Sequence, residues 1–290
     1  MKIHFLLNQR VHPEPNPIFA AAIRMLEHRG FAVSSWIAEE RLCAPDELPA
    51  EHDLYVLKSQ TELSLSLAGI VHARGGRFLN PYSACAVLQN KIIAANRLAD
   101  AGVPVPRSWA TGELSLLREL ASKMPLIVKP YRGHRGAGIR VIHRPDELAD
   151  LPQEQQPMLV QQFIPGTGDD LKVYVVGEQV FAVRKRFSVN SFRVAGGVCE
   201  VTPLVRDIAL RCGRAFGLGL YGLDIIEGPD GPVVVDINYS PGYRGVPDAA
   251  PLIACYIEDY ACGRATLPAV LPPLSAPRST RAALVAEVAA

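Results

Sequence analysis

At 290 residues the chain is long enough to bury a large core and to divide into two or three subdomains. Its 49% hydrophobic and 20% charged residues argue against disorder, and 30 basic against 29 acidic side chains argue against a nucleic-acid partner. Six scattered cysteines without a C-x-x-C pair indicate neither a zinc site nor a disulfide framework; no apolar run suits a signal peptide or a bilayer span, so a reduced cytoplasmic protein without membrane attachment is expected.

Lys2 to Leu7 predicts a buried strand, Ile18 to Arg29 an amphipathic helix ended by Gly30, and Phe31 to Ile37 a second strand. Leu54 to Leu57 adds a strand, Leu63 to Ala73 a helix, and Arg77 to Leu79 a strand entering Asn80-Pro81. Residues 1–82 thus read as a small α/β domain around a parallel sheet. One helix is predicted from Ser83 to Ala101, stopped by Gly102 and by Pro104 and Pro106. Strands at Leu126 to Lys129 and Ile139 to Ile142 flank a glycine-bearing loop, Pro130 to Gly138, as a hairpin with a wide tip. Leu159 to Ile164 is a strand running into Pro165-Gly166. Lys172 to Val176 and Gln179 to Arg186 form a hairpin across Gly177-Glu178, followed by an irregular stretch to about residue 204. A helix at Ile208 to Phe216 precedes the strands Leu220 to Ile226 and Val233 to Asn238, joined by a Pro-Asp-Gly turn at 229–231. A last helix, about Asp248 to Ala261, leads to a Pro-rich tail.

The chemistry concentrates on the last two strands. Asp236 and Asn238 are two apart and project from one strand face, with Asp224 on the adjacent strand. Three oxygen donors of this kind suit magnesium, which takes its remaining ligands from water and phosphate; a salt-bridged acidic strand edge is the alternative. Lys129 ends an apolar strand, where a cation faces either a ligand or solvent. Just beyond it, Gly133, Gly136 and Gly138 let backbone amides approach phosphate oxygens, with Arg132, His134 and Arg135 supplying charge, although plain hairpins carry such loops too. Lys91 by position alone is an ordinary helical lysine, and Val160 to Ile164 an ordinary buried strand.

The order of Lys91, Lys129, the glycine loop, Gln161 to Ile164, Asp224, Asp236 and Asn238 resembles the ATP-grasp superfamily over about residues 80–262. The resemblance implies a mixed α/β and α+β chain with the ATP-grasp fold: a Rossmann-like domain at 1–82, a central and lid subdomain at 83–166, a C-terminal subdomain at 167–265, and a tail at 266–290. It implies ATP as cofactor with Mg2+, or Mn2+ in its place. Lys91 and Lys129 would touch the nucleotide phosphates, with Gly133, His134, Arg135, Gly136 and Gly138 forming the lid. Gln161, Gln162, Phe163 and Ile164 would form the adenine hinge, and Asp224, Asp236 and Asn238 the metal site. Asp236 stands where glutamate is usual, and so does Gln162.

Two branches share these features. Val235-Asp-Ile-Asn-Tyr-Ser-Pro-Gly242 resembles RimK-type carboxylate-amine ligases, which imply small-molecule carboxylate and amine substrates, amino acid or peptide, and allow a homodimer. Leu171 to Gly177 and Pro241 to Val246 resemble inositol trisphosphate 5/6-kinases, which phosphorylate a hydroxyl. The substrate-side candidates are Lys172, Arg184, Arg186 and Arg193, with Arg184 and Arg186 on one strand face. Arg244 is a candidate carboxylate clamp, and Gly196-Gly197 a point of close approach or a simple bend. Ligase chemistry is the expected activity, through an acyl phosphate with release of ADP and phosphate.

Overall fold

The computed structural model describes residues 1–8, 16–133, 137–150, 156–186 and 196–272. Strands β1 (Lys2–Leu7), β2 (Ala32–Ile37), β3 (Leu54–Lys58) and β4 (Phe78–Leu79) form a parallel sheet in the order β2-β1-β3-β4, linked by helices α1 (Pro17–His28) and α2 (Glu62–Ala73). Asn16 caps α1 through the Ile18 amide, and Pro17 occupies the first turn, where no amide donor is needed. Thr61 caps α2 through Ser64. Both sheet faces are buried, as parallel strands require: Ile3 and Phe5 pack with Phe19 and Leu26 of α1, while Leu6, Tyr55 and Leu57 pack with Leu65 and Val71 of α2.

One polar group sits inside this sheet. His4 is 1% exposed and bonds the Ser34 hydroxyl at 2.7 Å; burial, with the charges of His52 and Arg41, pushes its pKa down to about 4. The unfolded chain takes up this proton near pH 6.5 and the folded chain only near 4. Stability is therefore lost as pH falls through that window, by about 3 kcal/mol at most. Urea unfolding at pH 7 and pH 5 should show His4→Leu losing less stability on acidification than the wild type; equal losses would remove His4 as the cause.

After β4 the single expected helix is two, α3 (Tyr82–Leu88) and α4 (Lys91–Asp100). The break has a local cause. Asn90 leaves helical geometry (φ −98, ψ 102), and its side chain accepts from the Ile92 and Ile93 amides, starting a new helix at Lys91. The second sheet comprises β5 (Ser108–Thr111), β6 (Leu126–Pro130), β7 (Arg140–Ile142) and β8 (Met158–Gln162), in the antiparallel order β5-β8-β6-β7 with α5 (Arg118–Lys123) beside it. Leu126, Val128, Met158 and Val160 pack on Leu117 and Ala121, so the alternate residues, among them Lys129 and Gln161, face the other way.

The third sheet is β9 (Asp169–Val176), β10 (Gln179–Arg186), β11 (Gly197–Cys199), β12 (Leu220–Gly228) and β13 (Gly231–Asn238), in the antiparallel order β11-β10-β9-β12-β13. Leu171, Val173, Tyr221, Leu223 and Ile225 bury one face under Ile208, Ala209 and Cys212 of α6 (Pro203–Phe216). This helix starts earlier than expected, because Thr202 caps it and Pro203 fits its first turn. On the opposite face Tyr174, Val176 and Leu220 pack with Tyr243, α1 and α7 (Ala249–Ala261), and the face then turns polar at Lys172 and Asp224. Buried Asn80 ties the first sheet to the third. It accepts from the amides of Gly219 and Leu220 at 2.8 and 3.0 Å and donates to the carbonyls of Leu220 and Tyr239 at 2.6 and 3.2 Å. All six cysteines are free, and no helix among the described residues is long and apolar enough to cross a membrane.

Candidate active site

The site lies along the open edge of β13, where α4 and the second sheet meet the third. Cross-strand register brings Asp236 of β13, Asp224 of β12 and Lys172 of β9 into one row on one sheet face. Between Asp224 and Ile225 the pairing skips Val235, a bulge that leaves both Val234 and Ile237 in the core while Asp236 stays on the polar face.

Three lysines converge on the two carboxylates. Lys91, at the first position of α4, reaches both Asp236 oxygens at 2.8 Å. Lys129, 7% exposed, donates to Gln161 Oε1 at 2.8 Å and to the carbonyl of the bulged Val235 at 3.1 Å. Lys172 meets Asp224 at 2.7 Å. Burial pulls the Lys129 pKa down, against the attraction of Asp236. For Asp236 the outcome differs: burial is the largest single influence and would raise its pKa, but the charges of Lys91 and Lys129 together hold it below the usual carboxylate value, and its side chain stays 41% open to the cleft. Burial would likewise lower Lys172, but Asp224 and Asp170 hold it above the usual lysine value. The cleft behind them is lined by Ala94, Leu98, Val105, Leu159 and Ile237.

Residues 88–253 match the RimK-like ATP-grasp domain. The chain belongs to this family. A probable alpha-L-glutamate ligase from Shewanella loihica is 32% identical over 196 residues, covering 60% of this chain and 64% of that protein, so the chain spans under two thirds of that relative's length. Among solved structures, the RimK domain protein ATP-grasp from Sphaerobacter thermophilus superposes with a TM-score of 0.70 at 20% identity, covering 89% of this chain and 100% of that one. The ATP-grasp ligase PsnB, complexed with minimal precursor, Mg and ADP, gives 0.63 at 22% identity, covering 89% and 96%. The mixed α/β and α+β architecture of three sheets is therefore the ATP-grasp fold. Of the two branches that the sequence resembles, the match is to the RimK-like one.

Several RimK-like site residues sit differently from expectation. Arg184 is a correction. It is register partner of Leu171, on the face opposite Lys172 and Asp224, and is paired there with Glu227. Arg186 is register partner of Asp169, and its side chain lies outside the described residues, as do His134, Arg135, Gly136 and Arg193. The cation that β10 does turn toward the row is Lys185, opposite Asp170. It is 7% exposed, and burial together with Lys172 and Arg244 pulls its pKa down. The signal for it was present: a two-residue turn at Gly177-Glu178 pairs Val176 with Gln179, which fixes every later pairing on the hairpin.

Gln161 belongs with Lys129 rather than with the hinge, since it is 3% exposed and also donates to Ser108 Oγ at 3.2 Å. The amides of Gln162 and Phe163 are spent on the carbonyls of Arg107 and Pro125 at 2.9 and 3.0 Å, so neither amide serves the expected adenine hinge. Ile164 packs on Gly228, where a Cβ would lie 2.9 Å from its Cγ2. Of the loop glycines, Gly133 and Gly138 both have φ in the left-handed range (156 and 75), and a Cβ on Gly138 would come 2.6 Å from Pro130. Gly196 is packed for structural reasons, with a Cβ there meeting the Arg184 carbonyl at 2.4 Å.

Among the described residues no three His, Cys, Asp or Glu side chains form a metal cage. The oxygens on this face that could hold a metal are two carboxylates and the Asn238 side-chain carbonyl, which stands two residues along the face from Asp236 and accepts from Gln60 Nε2 and from the Ser240 amide, each at 2.7 Å. Few protein oxygens, with the rest drawn from water and phosphate, is the pattern magnesium favours.

Proposed function

We propose that the chain is an ATP-dependent carboxylate-amine ligase acting on a small-molecule or peptide carboxylate and an amino acid or other small amine. The observation that carries this reading is the convergence of Lys91, Lys129 and Lys172 on Asp224 and Asp236 beside an apolar cleft. Lys91 and Lys129 neutralise the nucleotide phosphates, with Gly133 and Gly138 allowing the loop to approach them. The apolar lining holds the base. Asp224 and Asp236, with Asn238, would hold Mg2+, which would supply charge neutralisation for the phosphates.

Lys172, Lys185 and Arg244 form the basic wall that orients the substrate carboxylate. A carboxylate oxygen attacks the γ-phosphorus and ADP leaves. The amine then attacks the acyl carbon, loses a proton and expels phosphate. The family resemblance supports the division at residues 82 and 166, and a cytoplasmic location fits ATP use and free thiols.

Full-length protein with ATP, Mg2+ and pools of acids and amines, glutamate included, should release ADP only when both substrates are present. Phosphate appearing on a polyol without any amine would replace this reading with hydroxyl phosphorylation. Within the ligase assay, Lys185→Met should raise the carboxylate KM about tenfold or more, whereas Arg184→Met should stay within about twofold of wild type, since one charge faces the site and the other faces away. Equal effects of the two substitutions would refute the placement.

A further inference from the structure

The turn that joins β3 to α2 is fastened to the end of β13. Lys58 donates to the Ser240 carbonyl at 2.7 Å and to its hydroxyl at 2.8 Å. Gln89 Nε2 donates to the Gln60 carbonyl at 2.7 Å and to the Tyr239 hydroxyl at 3.0 Å, and that hydroxyl donates to the Ser59 carbonyl at 3.0 Å. With its backbone held in this way, Gln60 points its amide at Asn238 Oδ1 from 2.7 Å. The second lone pair of the same oxygen takes the Ser240 amide, also at 2.7 Å. An amide oxygen has two lone pairs, and here both are used.

We propose that Gln60 is a positioning residue that competes with the divalent ion for Asn238 Oδ1, so that metal affinity responds to the position of the 58–61 turn. The inference rests on the reading above, in which Asn238 is the third metal donor. The Ser240 bond closes a local turn within β13's own end and moves with Asn238. The Gln60 bond comes from the turn after β3 and can be lost without disturbing the Ser240 turn. Loss of the Gln60 donor leaves one lone pair of Oδ1 available at no cost in competing hydrogen bonds, and the ion gains what the Gln60 bond had contributed. Displacing the turn has the same effect. Metal binding is thereby coupled to the state of the N-terminal sheet.

Mn2+ titrated against the full chain with a non-hydrolysable ATP analogue, free ion being read by electron paramagnetic resonance, tests this without turnover. Gln60→Met keeps the side chain's length and removes its donor. It should bind Mn2+ about three- to tenfold more tightly than wild type, the worth of one net hydrogen bond. A misfolded variant would not bind more tightly, so the expected gain separates positioning from mere structural support. In an Asn238→Ala background the same substitution should change nothing. Wild-type or weaker affinity in Gln60→Met, or a gain that survives Asn238→Ala, would overturn the inference and leave the ligase reading standing. If Asn238→Ala and Asp236→Asn both bind Mn2+ like wild type, the metal reading itself fails, and this inference with it.

Discussion

Asp236→Asn should lower turnover by at least about a hundredfold while the chain stays folded. The substitution keeps the shape of the side chain and removes its charge. In the wild-type site that carboxylate receives both bonds from Lys91 and sits opposite Lys129, and these two cations hold its pKa down, so it is ionised throughout the neutral range. An amide in its place offers the metal a weaker donor, and it presents an N–H to Lys91, which cannot accept it. Two buried or half-buried cations then lose their common counter-charge, and Lys129 is pushed further toward its neutral form. Single-turnover assays with saturating ATP and substrates measure the loss, with circular dichroism confirming the fold. Turnover within about tenfold of wild type would remove Asp236 from the mechanism.

Lys129→Met is the second large effect, and its signature is weakened binding with little change in stability. A charged hydrogen bond to phosphate contributes about 1.5–3 kcal/mol, so ATP affinity should fall roughly tenfold to a hundredfold by calorimetry. Folding stability should scarcely fall. Burial disfavours the charged lysine in the folded chain, as its lowered pKa shows. The sign follows from linkage: the unfolded chain binds this proton more tightly, so charged Lys129 costs stability at neutral pH, and the cost is relieved as pH rises through the lowered pKa. Methionine removes that cost but leaves Gln161 Oε1 and the Val235 carbonyl without their donor, a loss that opposes it. A Tm close to wild type with weakened ATP binding is the expected pair of results; unchanged ATP affinity would contradict the role.

Much of this architecture was legible one strand at a time. The apolar runs of β1, β3, β6, β9, β12 and β13 are long enough to stand out, and the Pro-Asp-Gly turn at 229–231 pairs the last two. Short elements such as β5 and β11 carry too few residues for a period to show, and both were missed. The division of α3 from α4 turned on one side chain, Asn90, whose capping outweighs a continuous helical pattern on either side. That break matters for function, because it sets Lys91 at a helix start, where its amide also donates to the Tyr131 carbonyl at the foot of the glycine loop.

By itself the sequence determined that Asp236 and Asn238 share a face, that Asp224 lies across from them, and that a lysine ends the strand before a glycine loop, because alternation along a strand is local geometry. The hairpin register puts Lys185 on the Lys172 face, and only the tertiary structure decided that this face meets the site. Arg184 and Lys185 are equally plausible by composition, but neighbours on a strand point to opposite faces, and the burial of Leu171, Val173 and Ile225 under α6 sends Arg184 outward with Glu227 and Lys185 to the site. Likewise only packing brought Lys91 from α4, Lys129 from the second sheet and Gln60 from the first to the edge of β13, since contacts between distant segments depend on how whole faces fit together rather than on any spacing along the chain.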